Sequence, residues 1–171
     1  MHPFCRNTVA AMDWGGTIMN RYMSRDNKSR HRRYTSDVFE MAAAIVNQAS
    51  VQCIAMYPNN LQELPQHEID FLKSVPTTWD ETRFIDGYPG KYVVIARRHG
   101  SKWYVAALNG TNKPITLNLS LPMLTGSEVN LYYETPDKKS FWPKSAVKKT
   151  KINKNGKLKV TIQAMGGSII C

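Results

Sequence analysis

Residues 91–109, KYVVIARRHGSKWYVAALN, carry the pattern that decides the architecture. Lys91–Arg98 and Ser101–Asn109 are rich in β-branched and aromatic residues, and His99-Gly100 between them reads as a short turn, which predicts a hairpin. Downstream, Ile115, Leu117, Leu119 and Leu121 alternate with Thr116, Asn118 and Ser120, giving a strand with one buried and one wet face. The same period returns in Val129, Leu131 and Tyr133 and again in Leu158, Val160, Ile162 and Ala164. Gly166-Gly167 then precedes a last strand, Ser168–Cys171. Several strands at this spacing predict two packed antiparallel sheets, a β-sandwich, over residues 76–171.

Upstream of Val75-Pro76 the pattern is different, and the domain boundary is placed there. Residues 36–49, SDVFEMAAAIVNQA, read as a helix, with Asp37 as its cap and Glu40 completing a variant capping box. Val38, Met41, Ala42, Ile45 and Val46 fall at helical spacing, so this helix expects a packed face. Residues 51–56, VQCIAM, predict a buried strand leading into the loop Tyr57-Pro58-Asn59-Asn60. Asn59 or Asn60 then caps a short helical piece, and Pro65 opens another over Gln66–Ser74. A helix, a buried strand and more helix read as the end of an α/β unit, so the chain is α+β overall.

The 171 residues are 42% apolar and 21% charged, which is a globular composition. No run approaches the roughly 20 apolar residues that cross a bilayer, and the start has no basic segment followed by an apolar stretch, so neither a span nor a signal peptide is read. Cys5, Cys53 and Cys171 have no metal or disulfide spacing and are expected as small buried apolar residues. The net charge of +10 raises the question of an anionic partner. Its two basic regions read as an exposed loop with Arg21, Arg25, Lys28, Arg30, Arg32 and Arg33, and a solvated lysine hairpin between Lys138 and Lys159. Neither alternates with aromatic residues in an RNA-binding pattern or shows zinc-finger or basic-zipper spacing, so nucleic acid is not the expected partner.

Glycoside hydrolysis usually uses two carboxyl groups flanking the scissile bond. Thirteen acidic residues are present, and most have ordinary roles as caps, turn residues or members of amphipathic helices. Asp80 and Glu81 are adjacent, point to opposite faces of a strand, and read as edge or interface groups near Arg83. Asp13 follows the apolar segment Thr8–Met12 and precedes Trp14-Gly15-Gly16, where a strand is expected to end; in a barrel enzyme that is the catalytic face. Trp14 beside it suits either stacking on a sugar ring or the core. The four histidines, His2, His31, His67 and His99, have no metal-ligand spacing, and Gly15-Gly16-Thr17 lacks the lysine and spacing of a phosphate loop.

The order Pro3-Phe4-Cys5-Arg6-Asn7, Met12-Asp13-Trp14, a helix and strand, and then residues 71–110, FLKSVPTTWDETRFIDGYPGKYVVIARRHGSKWYVAALNG, is similar to the end of glycoside hydrolase family 97 enzymes. The resemblance covers most of the chain and is strongest from Phe71 to Gly110. It implies a parent enzyme hydrolysing α-glucosides or α-galactosides, built as an N-terminal β domain, a (β/α)8 barrel and a C-terminal β-sandwich, with calcium beside the catalytic carboxylates. Residues 1–75 are then the last barrel segments and 76–171 the terminal sandwich that supports them. The family's catalytic and calcium-binding carboxylates lie upstream of the Phe-x-Arg-Asn segment, so no catalytic, metal or cofactor role is inherited here, and the region by itself is expected to be inactive. Arg6 and Asp13 match positions near the barrel mouth and, with Trp14, are the substrate-proximal candidates. The implied partners are the upstream barrel and, for the complete enzyme, an α-linked oligosaccharide; the implied location of the parent is periplasmic or exported. Ser36-Asp37-Val38-Phe39 departs from the Thr-His familiar at this helix start, which leaves the sugar open. An alternative reading is a carbohydrate-binding or interaction module using Trp79, Trp103, Tyr104, Tyr132, Tyr133 and Trp142.

Overall fold

A computed structural model describes residues 1–171. The N-terminal residues make two 3-10 turns and then strand β1 (Trp14–Ile18). Helix α1 (Asp37–Val46) follows, and strand β2 (Gln52–Ala55) returns parallel to β1, making a β-α-β unit. The strand expected to finish at Asp13 therefore starts after it: Thr8–Met12 is not a strand, and Thr17, fully buried, pairs with Ile54. Gly16 permits this course, because a Cβ there would lie 2.6 Å from the Trp14 ring folded over it. β2 is not the buried strand expected. Its residues alternate, with Cys53 and Ala55 exposed, because α1 covers one face of the pair and the other is open. Cys5 is exposed as well, so two of the three cysteines are not core residues.

The cap of α1 also differs from expectation. Ser36 is the N-cap, its hydroxyl accepting from the Phe39 amide at 3.0 Å, which frees Asp37 for a buried ion pair. Helices α2 (Asn60–Glu63) and α3 (Gln66–Ser74) follow, neither with a side-chain cap bond.

Strands β3 (Glu81–Tyr88), β4 (Tyr92–His99) and β5 (Lys102–Asn109) form an antiparallel meander. Gly100, at φ +58°, makes the tight turn between β4 and β5 together with Ser101, one residue later than the His99-Gly100 reading. Strand β6 (Ile115–Ser120) leads to β7 (Glu128–Thr135), β8 (Lys144–Lys151), β9 (Lys157–Ile162) and β10 (Gly167–Ile170). One sheet has the order β3-β4-β5-β10-β7-β8, and the second is the pair β6-β9. The lysine-rich segment is thus no hairpin: β8 pairs with β7 and β9 with β6, and the chain crosses between sheets at Ile152, which is buried.

The central strands of the six-stranded sheet are buried on both faces. Val94, Ala96, Val105 and Ile170 meet Leu119, Leu121, Val160 and Ile162 from the smaller sheet, completing an antiparallel β-sandwich. On the other face Val93, Ile95, Ala106 and Ile169 meet Met41, Ala42 and Ile45 of α1 and Phe71 of α3. Each of the larger side chains contributes about 1.5–3 kcal/mol by leaving water, and each alanine about 0.8 kcal/mol or less. Gly167 allows α1 to approach this closely, since a Cβ there would lie 2.5 Å from the Val38 carbonyl oxygen and 2.8 Å from the Phe39 Cα. Arg97 joins the same layer. Only 1% exposed, it donates to the carbonyls of Ile45 at 2.7 Å and Val46 at 3.1 Å at the end of α1, and to the Thr82 hydroxyl at 2.7 Å.

Candidate functional site

In α/β units the chemistry gathers where strands end, because the connecting loops there are free to vary over a rigid sheet. The carboxyl end of β1 opens into residues 19–36, a loop folded as a short ribbon. The Arg33 amide donates to the Arg21 carbonyl at 2.8 Å, the Met23 amide to the His31 carbonyl at 2.9 Å, and Tyr22 bridges Arg32. The Asn27 side-chain oxygen accepts the amides of Arg21 and Tyr22 at 2.7 and 3.0 Å, closing the turn.

Arg33, buried, holds the ribbon's base. Its guanidinium donates to the carbonyls of Ile18, Met19 and Thr35 and pairs with Asp37, which also receives Arg21 at 2.9 Å. Glu40 accepts the Ile18 amide at 3.0 Å and the Thr35 hydroxyl, and burial raises its pKa. Asn60, at the carboxyl end of β2, donates to the Asn20 side chain at 2.6 Å inside the protein and ties the two loops together. Met19, Arg21, Tyr22, Asn27, Glu63, Leu64 and Trp142 border a cavity of about 290 Å³ beside the ribbon.

The structure separates the substrate-proximal candidates. Asp13, exposed, lies at the amino end of β1, so the strand-end argument for it fails. It shares an open cleft with Arg6, which sits in an exposed 3-10 turn. Trp14 faces a different cavity, of about 300 Å³, with Phe4, Phe39 and Tyr88, and donates to the Thr17 hydroxyl at 3.3 Å. The six rings of the carbohydrate-binding reading form no exposed row: Tyr104 and Trp142 are buried, and Trp79, Trp103, Tyr132 and Tyr133 pack partly against the two cores.

Two buried carboxyls lie where the helices meet β7 and β8. Glu134 of β7 accepts the Ser36 hydroxyl and the Gly167 amide, and burial pushes its pKa up to about 7. Glu68 of α3 accepts the Ser145 hydroxyl of β8, with His67 Nε2 at 2.9 Å from that hydroxyl; burial, reinforced by Asp37, also pushes it up to about 7. In each, the second carboxyl oxygen has no hydrogen-bond partner. The sequence places Glu68 on a short amphipathic helix and does not single out Glu134, and no spacing betrays either because their partners are distant in the chain. No group of three or more His, Cys, Asp or Glu side chains is placed to hold a metal. No helix is long and apolar enough to cross a membrane.

Residues 78–171, more than half the chain, match the family profile described as glycosyl-hydrolase 97 C-terminal, oligomerisation. The chain belongs to glycoside hydrolase family 97. Among similar proteins, a retaining α-galactosidase of Bacteroides thetaiotaomicron is 27% identical over 98% of this chain and 26% of that enzyme. A crystal structure of a β-arabinopyranosidase is 46% identical, with a TM-score of 0.91, over 99% of this chain and 26% of that one. A family 97 enzyme from Pseudoalteromonas, 22% identical with a TM-score of 0.82, shares the fold over 99% of this chain. The chain thus spans about a quarter of the length of these proteins and corresponds to the C-terminal part of a family 97 enzyme.

Proposed function

We propose that residues 1–75 are the closing segments of a (β/α)8 barrel and that 76–171 are the sandwich that supports it, in a glycosidase whose hydrolytic carboxylates and calcium site lie upstream. The observation that carries this is the bare face of β1 and β2. Parallel strands are normally covered on both faces, yet here α1 covers one and leaves Gly15, Cys53 and Ala55 exposed on the other, with just two strands paired. Further parallel strands would complete the sheet.

The expected substrate is a galacto-configured glycoside. A β-L-arabinopyranosyl ring and an α-D-galactopyranosyl ring share their hydroxyl configuration and differ by a hydroxymethyl group at C5, so the named activities of the two similar proteins ask nearly the same of a site. The test is a fusion in which residues 1–171 replace the corresponding quarter of the β-arabinopyranosidase. Hydrolysis of aryl β-L-arabinopyranoside or α-galactoside by the fusion is expected, with none by residues 1–171 alone or by the truncated relative. A folded but inactive fusion, or activity from residues 1–171 alone, would refute the reading.

A further inference from the structure

The turn between β7 and β8 does something a supporting sandwich does not require. Its residues Pro136–Pro143 project beyond the sheet and are ordered from within: the Asp137 carboxylate accepts the Lys139 amide at 2.9 Å and pairs with Lys144 at 3.5 Å, and the Ser140 hydroxyl accepts the Trp142 amide at 3.2 Å. The turn presents Phe141 and Trp142, with ring centroids 5.3 Å apart, to the 19–36 ribbon.

Their hydrogen-bond, ring and cation contacts across the gap fall on that ribbon's ascending and descending arms. The Trp142 indole N–H donates to the Arg33 carbonyl at 3.1 Å, Tyr22 meets the indole edge-on at 5.6 Å, and the Arg21 guanidinium lies 5.4 Å from its centroid. Phe141 carries the Arg32 guanidinium 3.7 Å from its centroid and meets Tyr34 edge-on at 6.2 Å. Indole and guanidinium stacking of this kind fixes orientation as well as distance. The contrast in exposure is informative: Trp142 is buried, while Phe141 is 50% exposed yet still lies against two ribbon side chains.

From this geometry we infer that Trp142, with Phe141, is a positioning residue: the sandwich sets the ribbon at the carboxyl end of β1, and through it the catalytic mouth of the complete enzyme. The inference rests on the barrel reading above, because only there does the carboxyl end of β1 face the substrate. Arg33 and Asp37 hold the ribbon's base from the barrel side, and the clamp adds a second hold from the sandwich on Arg21–Tyr22 and Arg32–Tyr34, where a shift of about 1 Å at a catalytic mouth can cost on the order of a hundredfold in rate.

Two measurements test it separately. Hydrogen exchange on residues 1–171 compares the parent with Trp142→Phe, which keeps the ring and removes the N–H; ribbon amides such as Met23 and Arg33 should exchange roughly three- to tenfold faster, the value of one hydrogen bond, while β4 and β5 are unchanged. Steady-state kinetics on the arabinopyranosidase fusion then compare Trp142→Phe and Trp142→Ala with Trp103→Phe, the same chemical change at a site remote from the ribbon. Trp142→Phe should lower kcat/KM severalfold at a nearly unchanged melting temperature, Trp142→Ala should lower it about tenfold or more in a fusion that is less stable but still folded at the assay temperature, and Trp103→Phe should not lower it at all. An active fusion whose kcat/KM is insensitive to Trp142, or unaltered ribbon exchange, overturns the clamp and leaves the barrel reading standing. An inactive parent fusion overturns the barrel reading and the inference with it.

Discussion

Replacing Arg97 by methionine keeps an unbranched stem in the layer between α1 and the sheet and removes the three donated hydrogen bonds. Burial lowers the guanidinium from 12.5 to about 10, and that difference of roughly 2.5 units corresponds to about 3 kcal/mol of lost hydration that the substitution recovers. Against it stand bonds from a charged donor, worth about 1.5–3 kcal/mol each. Two of the acceptors are carbonyls near the end of a helix, where no further turn supplies amides and a cation is favoured by about 0.5–1 kcal/mol. The balance is a destabilisation of about 2–7 kcal/mol, and about 3 kcal/mol is expected because methionine fills part of the space. Arg97→Lys should lose about half as much, since a single ammonium cannot hold a planar fork between Ile45, Val46 and Thr82. Urea unfolding of residues 1–171 followed by tryptophan fluorescence measures both, at pH 6 and pH 8, where the arginine stays charged and the Arg97→Met loss should be the same. A methionine variant as stable as the parent would show that the helix end is satisfied without the arginine.

The buried carboxyls make the opposite demand on pH. Glu68 and Glu134 stay protonated in the fold up to about 7 but ionise near 4.5 once exposed, so stability is greatest below about 4.5 and declines as pH rises to about 7, by up to about 3 kcal/mol for each. Glu134→Gln should flatten that decline; a urea midpoint unchanged between pH 5 and pH 7.5 in the parent would contradict it. Ser36→Ala removes both the cap of α1 and a partner of Glu134, for an expected loss of about 1–2 kcal/mol in the same assay. Gly167→Ala forces a methyl against the α1 backbone and should cost about 1–3 kcal/mol, with the helix, rather than the β6-β9 side, showing the faster hydrogen exchange.

The sandwich was legible because its strands alternate: Ile115 to Leu121 and Leu158 to Ile162 each show one face to the core, and Gly100 sits at a turn. Strand order was not legible, since nothing local in Gly167–Ile170 says that it inserts between β5 and β7. The lysines of β8 misled for a physical reason: an edge strand exposes long charged side chains and discourages further pairing, so its composition imitates a solvated loop. Asp37 looked like a cap because Ser36 and Asp37 are both good caps; the buried arginine that claims the aspartate comes from the loop before the helix. Around β1 the apolar run Thr8–Met12 outweighed Trp14-Gly15-Gly16-Thr17, although the glycines are what let the tryptophan ring fold over the strand. Arg97 reads as one more strand residue, because alternation reports one wet face and the central strands of this sheet have none.

The central position of β10 has a consequence for synthesis. Residues 167–170 leave the ribosome after every strand they join, so until then β3-β4-β5 and β7-β8 are two separate ribbons, each with an open edge facing the gap that β10 will fill. Such contacts across long stretches of chain form slowly, and open edges invite pairing with the wrong partner in the meantime. A chain that stops before Gly167 would therefore lack the keystone of the sheet rather than a frayed end.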